Sequence, residues 1–261
     1  MDGRKYSSKL EGKHLLVFGG TSGIGFCVAE AALEQGASVY ISGSNPNKLQ
    51  SALAKLLEAY PTAHNRLDGK TCDLSVAEKL EENLTNILRA ATRSSKIDHV
   101  VFTSGNDLHL GHVSHIMIDE VYAAGIVRFF APVILAKLSF DFLKVGPESS
   151  MTFTGGAGSQ RPPPNFAIAG AYTAGLEGLV RGLAVDLKPL RVNLVAVGAV
   201  HTEMLDRVAR VQDGLLDVLK SQTTLGVVGQ PEDVAEAYIY VMKDNFITGS
   251  VISTNGGALL I

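Results

Sequence analysis

The sequence predicts an α/β fold in which a doubly wound parallel sheet is flanked by helices on both faces. Short apolar runs of strand length alternate along the chain with longer stretches whose apolar residues recur at helical spacing. Helices of this length between strands require crossover connections, which make neighbouring strands parallel. Near-continuous apolar strands such as Val192–Val197 also indicate a sheet buried on both sides.

The first half of the chain is predicted to contain four strands and three helices. The apolar run His14–Phe18 ends in glycines, and apolar residues at Ile24, Val28 and Ala31 then follow helical spacing. Pro46 suits the first position of a second helix. The predicted strands are His14–Phe18, Ser38–Ser42, Arg66–Cys72 and Asp98–Thr103, and the predicted helices are Ile24–Gln35, Pro46–Tyr60 and Ser75–Ala91.

The second half repeats the pattern around one irregular stretch. Residues 198–229 show no periodicity, and within them Val200–Gly226 is the segment expected to bind the substrate. The predicted strands are Ser149–Thr154, Arg191–Val197 and Ser250–Ser253, and the predicted helices are Ile118–Lys144, Ala167–Leu187 and Pro231–Met242.

Length and composition indicate a single domain over residues 1–261. The chain is 46% apolar and 19% charged with a net charge of −3, which excludes a disordered or fibrous protein. The absence of a basic cluster argues against a nucleic-acid partner. The longest uninterrupted apolar runs have strand length and the amino terminus has no apolar leader, so we expect a cytoplasmic chain without a membrane partner. Cys27 and Cys72 lack metal-ligand spacing, so we expect two small core residues and no metal.

A glycine-rich turn joins the first strand to the first helix. Glycines let the backbone turn tightly and approach a pyrophosphate, whose charge is met by amide N–H groups at the start of the helix. An ordinary turn is the alternative, but the strand-turn-helix context favours dinucleotide binding and a Rossmann-type fold. The predicted contacts are Gly19, Thr21, Ser22, Gly23, Ile24 and Gly25.

The residues after the second strand favour NADP over NAD. An NAD site places a carboxylate there, about 20 residues past the glycines, to bond the ribose 2′-hydroxyl. Residues 42–48 contain no acid, and Ser44, Asn45 and Lys48 offer hydroxyl, amide and ammonium donors to a 2′-phosphate. A polar turn that caps the helix at Pro46 is the alternative interpretation.

Further motifs follow in a characteristic order. After the glycine turn come Asp73-Leu74, Ser104-Gly105, residues 191–193 with 198–202, and residues 229–235 with Thr248-Gly249 and Gly256-Gly257 near the end. In these features the chain resembles the short-chain dehydrogenase/reductase family over essentially its whole length. The resemblance implies adenine contacts from Asp73 and Leu74 and further cofactor contacts from Ser104, Gly105, Gly198, Val200 and Thr202.

The four residues that carry the family's chemistry are replaced. The resemblance implies hydride transfer assisted by a tyrosine acid, a serine, a lysine and an asparagine. The segment Ala174–Leu179 fixes the register, which puts Ala169 at the tyrosine, Thr173 at the lysine, Gly156 at the serine and Arg128 at the asparagine. Without a positioned acid, the alkoxide formed from an ordinary ketone is poorly stabilised. An iminium ion becomes a neutral amine on accepting hydride and needs no proton donor.

Arg128 is the residue that we expect to serve both catalysis and cofactor binding. A guanidinium can fork onto phosphate, ribose or amide oxygens and so compensate for the missing lysine. A surface cation paired with a carboxylate is the alternative, but the apolar neighbours Phe129 and Phe130 favour a role in the site.

Three other features have ordinary interpretations that we prefer. Tyr172 could replace the missing acid, but an aromatic residue in a helix-packing interface is favoured. His109, His112 and His115 could suit a metal, but nothing completes a ligand set and a loop is favoured. The rigid segment Arg161–Phe166 could shape the nicotinamide end of the crevice or be a plain loop.

The chain further resembles a divergent branch of the family that has an arginine at the asparagine position and an Arg-Pro-rich segment before a helix without the tyrosine. Fungal members of this branch, similar to reductase/Diels-Alderases of prenylated indole alkaloid pathways, bind NADP and act on an iminium-type intermediate. In those proteins an aspartate lies in the proline segment, where this chain has Pro163.

Three classes of function follow from these observations. An NADP(H)-dependent reductase of an iminium-like or activated small molecule in secondary metabolism ranks first. An NADP-bound catalyst of a non-redox step, such as a cyclase or isomerase, gains from the resemblance and loses from Pro163. A non-catalytic NADP-binding scaffold gains from the missing residues.

We also expect a homodimer or homotetramer. The helices over residues 118–144 and 167–187 carry more apolar surface than one sheet face needs. The residues behind this expectation are Phe129, Phe130, Phe140, Phe142 and Leu183, and such contacts would also bury Tyr172.

Overall fold

A computed structural model describes residues 5–108 and 110–261 and confirms the α/β prediction. Seven strands in this part of the chain form one parallel sheet. They are β1 (His14–Phe18), β2 (Ser38–Gly43), β3 (Leu67–Thr71), β4 (His99–Phe102), β5 (Ser150–Gly156), β6 (Arg191–Val197) and β7 (Val251–Thr254). Their order across the sheet is β3-β2-β1-β4-β5-β6-β7. The order reverses between β1 and β4, so a crevice is expected where these two strands end.

The helices occupy both faces of the sheet. They are α1 (Gly23–Glu34), α2 (Pro46–Ala59), α3 (Leu80–Ala91), α4 (Ile118–Gly125), α5 (Ala131–Phe142), α6 (Ala167–Asp186), α7 (Glu203–Ala209), α8 (Leu215–Ser221) and α9 (Pro231–Lys243). Alternate residues of β1 show the division: Leu16 and Phe18 pack in the cluster that contains α3, α5 and α6, whereas Leu15 and Val17 pack with α1, α2 and α9.

Most predicted boundaries hold to within two residues, and three regions differ. The predicted helix Ile118–Lys144 ends at Phe142 and contains a π-helical turn at Ile126–Phe130 between α4 and α5. The helix predicted over Ser75–Ala91 begins five residues later, at Leu80, after a 3-10 turn at Ala77–Lys79. The stretch predicted to be irregular contains α7 and α8.

The expected surplus of apolar surface on α5 and α6 is smaller than predicted. Phe130 and Phe140 are exposed, but Phe129, Phe142 and Leu183 pack partly against the core. The helical stretch Ile118–Phe142 is long and apolar enough to cross a membrane by length and composition. It also contributes Val127, Ala131 and Leu135 to the core, and core helices of globular domains meet the same criterion.

The two cysteines lie in opposite halves of the core. Cys27 is buried with α1, and Cys72 is buried after β3. Burial raises the pKa of both thiols to about 12, so both remain protonated at neutral pH.

The amino-terminal edge of the sheet is held by a buried arginine. Arg191 begins β6, and its guanidinium donates to the main-chain oxygens of Pro147 at 2.6 Å, Val241 at 2.7 Å and Met242 at 3.1 Å. The motif at residues 191–193 therefore joins β6 to α9, far from the edge at which the strands end.

Candidate functional site

A crevice of about 1110 Å³ opens at the carboxyl ends of the strands. Because all strands are parallel, loops that are distant in sequence meet at this edge. The structure brings all seventeen predicted site residues to this one crevice; their role as cofactor contacts stays a prediction. They are Gly19, Thr21, Ser22, Gly23, Ile24, Gly25, Ser44, Asn45, Lys48, Asp73, Leu74, Ser104, Gly105, Arg128, Gly198, Val200 and Thr202.

The glycine turn has the geometry of an anion cradle. Gly19 and Gly23 have φ values of +81° and +53°, which side chains rarely adopt. A Cβ at Gly25 would lie 2.3 Å from the carbonyl oxygen of Gly19, so the turn closes only without a side chain. No side chain caps the start of α1, and its first turn contains no acid. These features fit the pyrophosphate of a dinucleotide.

The end of the crevice that the sequence predicts to bind adenosine, here called the adenosine end, is polar. The Asn45 side chain accepts a 3.0 Å hydrogen bond from the amide of Lys48, so it caps α2 and also lines the crevice. Asp73 accepts hydrogen bonds from the hydroxyl and amide of Ser75, which lower the pKa of its carboxyl group. The ammonium of Lys48 pairs with Glu203, which the sequence interpretation missed.

Arg128 lies on the π-helical turn and faces the loop after β4. Its guanidinium donates to the carbonyl oxygen of Asn106 and lies against Gly105, where a Cβ would come within 2.8 Å of it. Burial lowers the pKa of the guanidinium, and the charge of Asp107 acts in the opposite direction. The group stays charged at neutral pH.

Two buried polar atoms beside this arginine have no hydrogen-bond partner among the described residues. They are Nε of Arg128 and Oδ1 of Asn106. An unsatisfied buried polar atom costs about 1–3 kcal/mol. Because both residues line the crevice, these atoms fit a ligand that supplies an acceptor and a donor.

The substituted catalytic positions offer little acid chemistry. Gly156 ends β5, and Thr173 donates its hydroxyl to the carbonyl oxygens of Ala169 and Gly170 in its own helix. Ala169 is buried in α6. The described residues that line the crevice include no tyrosine and a single lysine, Lys48, which lies at the adenosine end.

Tyr172 packs between helices away from the crevice lining. Its hydroxyl donates to the carbonyl oxygen of Val121 at 3.0 Å, and its ring lies 5.7 Å from that of Phe129. A Cβ at Gly125 would be 2.5 Å from the tyrosine ring. The hydroxyl group is therefore hydrogen-bonded and the ring is packed between helices, which agrees with the preferred interpretation of Tyr172 as an aromatic residue in a helix-packing interface.

The histidine segment holds no metal cluster within the described residues. His112 bonds the hydroxyl of Ser114, and its ring lies 6.1 Å from that of His115. His109 lies outside the described residues.

The outer wall of the crevice is largely apolar and was only partly predicted. Arg161 donates to the carbonyl oxygen of Ala258 at 2.9 Å, which ties the proline segment to the carboxyl-terminal segment. Residues 161–164 and Phe166 of the proline segment line the crevice. Asn106 and Glu203 each directly follow a recognised motif, and that adjacency was the signal available in the sequence. The apolar wall comprises Leu108, Leu110, Pro162, Pro163, Pro164, Phe166, Met204, Leu205, Leu215, Leu219 and Leu259.

Comparisons with known proteins agree with this geometry. A family model described as an SDR-like Rossmann domain matches residues 6–261. The short-chain dehydrogenase/reductase malC of Malbranchea aurantiaca is 43% identical over 260 residues, 98% of each chain. The short-chain dehydrogenase/reductase fsr5 of Gibberella fujikuroi is 42% identical over 259 residues, also 98% of each chain.

Solved structures give the same result. The MalC reductase/Diels-Alderase from Malbranchea aurantiaca superposes with a TM-score of 0.92 at 42% identity, covering 98% of this chain and 100% of that one. A short-chain dehydrogenase from Burkholderia cenocepacia in complex with NADP superposes with a TM-score of 0.82 at 25% identity, covering 96% of this chain and 99% of that one.

Proposed function

The chain belongs to the short-chain dehydrogenase/reductase family, whose members are oxidoreductases, and from this premise we propose that it is an NADP(H)-dependent reductase of an iminium-like or otherwise activated small molecule. The observation that carries the proposal is the crevice itself. The crevice contains both the glycine turn and Arg128. The described residues that line it include Thr173 but no tyrosine. This combination supports cofactor binding without strong acid assistance.

NADP is favoured by the donors at the adenosine end. Ser44, Asn45 and Lys48 lie together where β2 ends, and no acid lies between residues 42 and 48. The neighbour from Burkholderia cenocepacia binds NADP, which adds support from a more distant relative. A 2′-phosphate placed there would accept charge-assisted hydrogen bonds.

The residues of this chain would bind and orient rather than transfer protons. A nicotinamide dinucleotide supplies a hydride when bound. Arg128 has an unpaired Nε–H for a ribose or amide oxygen, and Oδ1 of Asn106 can accept from an N–H donor. The apolar wall from Met204, Leu205 and Leu219 would limit the access of water to the outer crevice once a ligand fills it. An acceptor that is already activated needs no more than this.

A non-redox cyclisation is the second candidate. It is favoured by the relative from Malbranchea aurantiaca, which is described as a reductase/Diels-Alderase. It is disfavoured by Pro163, which lines the crevice where the related alkaloid enzymes are expected to have an aspartate. An apolar crevice holding the cofactor could still fold a flexible substrate into a reactive conformation.

One experiment separates the reductase, the cyclase and a scaffold without turnover. The protein is incubated with NADPH carrying deuterium at nicotinamide C4 and with a panel of cyclic iminium ions and simple ketones, and products are followed by mass. Deuterium in the amine products and little ketone reduction support the reductase. Isomerised product without NADPH consumption supports the cyclase. No turnover of any compound contradicts both and leaves the scaffold.

A further inference from the structure

We propose that Glu203 limits the preference of the crevice for NADP(H) by competing with the 2′-phosphate for Lys48. This inference rests on the proposed function, because it concerns how the same crevice selects between two dinucleotides. Glu203 was not among the predicted site residues, and its carboxylate is of the wrong charge to bind a phosphate.

The backbone places Glu203 beside the phosphate cradle. Thr202 caps α7, and Glu203 is the first residue of that helix. A Cβ at Gly23 would be 3.0 Å from Cγ2 of Thr202, so the start of α7 packs on the glycine turn. The carboxylate consequently stands across the crevice from α2.

Glu203 forms an ion pair with Lys48, the cation that we expect to bind the 2′-phosphate. Its carboxylate pairs with the ammonium of Lys48, and both side chains are about half exposed. The two residues line a side pocket of about 220 Å³ together with Thr21, Ser22, Ser51 and Lys55. The pair therefore spans a small pocket between the glycine turn and α2.

The carboxylate remains ionised in this setting. The hydrogen bond from Lys48 lowers the pKa of Glu203, and the charges of Lys48, Arg207 and Lys55 act in the same direction against burial. A phosphate that enters the pocket must displace this carboxylate from Lys48 and then lie near a like charge. A 2′-hydroxyl meets neither obstacle, so Glu203 weakens binding of NADP(H) more than that of NAD(H).

The test compares dissociation constants of NADPH and NADH, measured by calorimetry, for the wild type and Glu203→Gln. Glutamine keeps the size of the side chain and removes its charge. The Kd of NADPH should fall about two- to five-fold, as expected for an exposed ionic contact, while the Kd of NADH changes less. An unchanged or smaller ratio of the Kd of NADH to the Kd of NADPH would overturn the inference.

Lys48→Gln tests whether the carboxylate acts through the lysine. In that background, Glu203→Gln should widen the preference for NADPH less than it does in the wild type. Equal widening in both backgrounds would overturn the step through Lys48.

Asp107→Asn provides a matched control. Asp107 pairs with Arg207 at 3.0 Å, so the substitution removes a different ionic contact of the same helix. Loosening α7 alone should shift both dissociation constants by the same factor and leave their ratio unchanged. If Asp107→Asn widened the ratio as much as Glu203→Gln, mobility of α7 would explain the effect and the inference would be wrong. A wild type that binds neither dinucleotide overturns the proposed function as well.

Discussion

Arg128 is held in place by a main-chain carbonyl oxygen, and no described carboxylate forms an ion pair with it. Its guanidinium donates to the carbonyl oxygen of Asn106 and rests on Gly105, while its Nε–H stays unpaired among the described residues. Such an arrangement keeps part of the cation available to a ligand. Arg128 also lies on a π-helical turn, and such turns are frequent at functional sites.

Arg128→Ala is expected to weaken NADPH binding and turnover together. A charge-assisted contact to a ribose or amide oxygen contributes about 1.5–3 kcal/mol, which corresponds to roughly ten- to a hundred-fold. Calorimetry and steady-state kinetics measure the two losses. Arg181→Ala, on the exposed surface of α6, is the control and should change neither. Wild-type affinity and turnover in Arg128→Ala would refute the assigned role.

The environment of Asp98 leads us to expect that the free energy of unfolding depends on pH. Its side chain is 2% exposed and accepts from Lys144 at 2.8 Å, from the amide of His14 at 2.9 Å and from Lys13 at 3.4 Å. Burial acts to raise the pKa of Asp98, but these hydrogen bonds and positive charges together hold it below the ordinary value. The stabilisation is therefore complete above the unfolded pKa of about 3.9 and is lost as the pH falls through the lower folded value.

Asp98→Asn is expected to lower the free energy of unfolding by about 1.5–3 kcal/mol at pH 7, because it removes an ionised acceptor. The difference between wild type and variant should shrink as the pH falls below about 4, where the carboxyl group of the unfolded wild type becomes protonated, and should vanish below the lower folded pKa. Urea unfolding at several pH values measures both effects. A difference that stays constant down to pH 2 would contradict the assignment.

At the scale of elements, periodicity predicted every strand of the sheet and the long helices. Local pattern alone could not reveal the π-helical turn at Ile126–Phe130, because one inserted residue barely alters apolar spacing within a helix. Helices α7 and α8 have seven residues each, too few for a periodic signal. Thr202 caps α7, whereas no side chain caps α8, which follows Gly214.

The glycine turn gives the sharpest prediction at this scale. Gly25→Ala would put a methyl group 2.3 Å from the carbonyl oxygen of Gly19 and 2.4 Å from Oγ1 of Thr103. The first of these is backbone, so the turn must shift. We expect a loss of about 1–3 kcal/mol in stability and severe loss of dinucleotide binding.

Gly146→Ala is the control for that prediction. A Cβ there would meet no heavy atom of the described residues within 4 Å, and the residue lies outside the crevice. Thermal unfolding and NADPH titration should give wild-type values, or slightly higher stability from reduced chain entropy. If both alanine variants behaved alike, the close approach at Gly25 would not matter to the site.

For the whole molecule, we propose assembly into dimers or tetramers through α4, α5 and α6. Tyr122, Phe140 and Val185 are exposed on these helices at 58%, 46% and 66%. Light scattering at micromolar concentration should give two or four times the chain mass of 27.6 kDa. Val185→Glu should reduce that mass, and Val211→Glu, exposed on a separate segment, should not. A wild-type monomer would refute the proposal.

The candidate site could be predicted from the sequence where the path of the backbone requires particular residues. The glycines are required by the tight turn, and Ser44, Asn45 and Asp73 follow strands whose ends meet at one edge. The outer wall was not predictable residue by residue, because Leu215 and Leu259 are brought together only by the path of the chain. Glu203 shows the same limit, since its partner Lys48 is 155 residues away.

The central claim is that this crevice is an NADP(H) site in a short-chain dehydrogenase/reductase. Its most direct test is calorimetric titration of the purified protein with NADPH and, separately, with NADH. We predict one site per chain with tighter binding of NADPH, because Lys48, Ser44 and Asn45 can meet a 2′-phosphate and residues 42–48 contain no acid, although Glu203 competes for Lys48. Equal or tighter binding of NADH would contradict the assignment of the 2′-phosphate site, and absence of binding to both would contradict the account of the crevice.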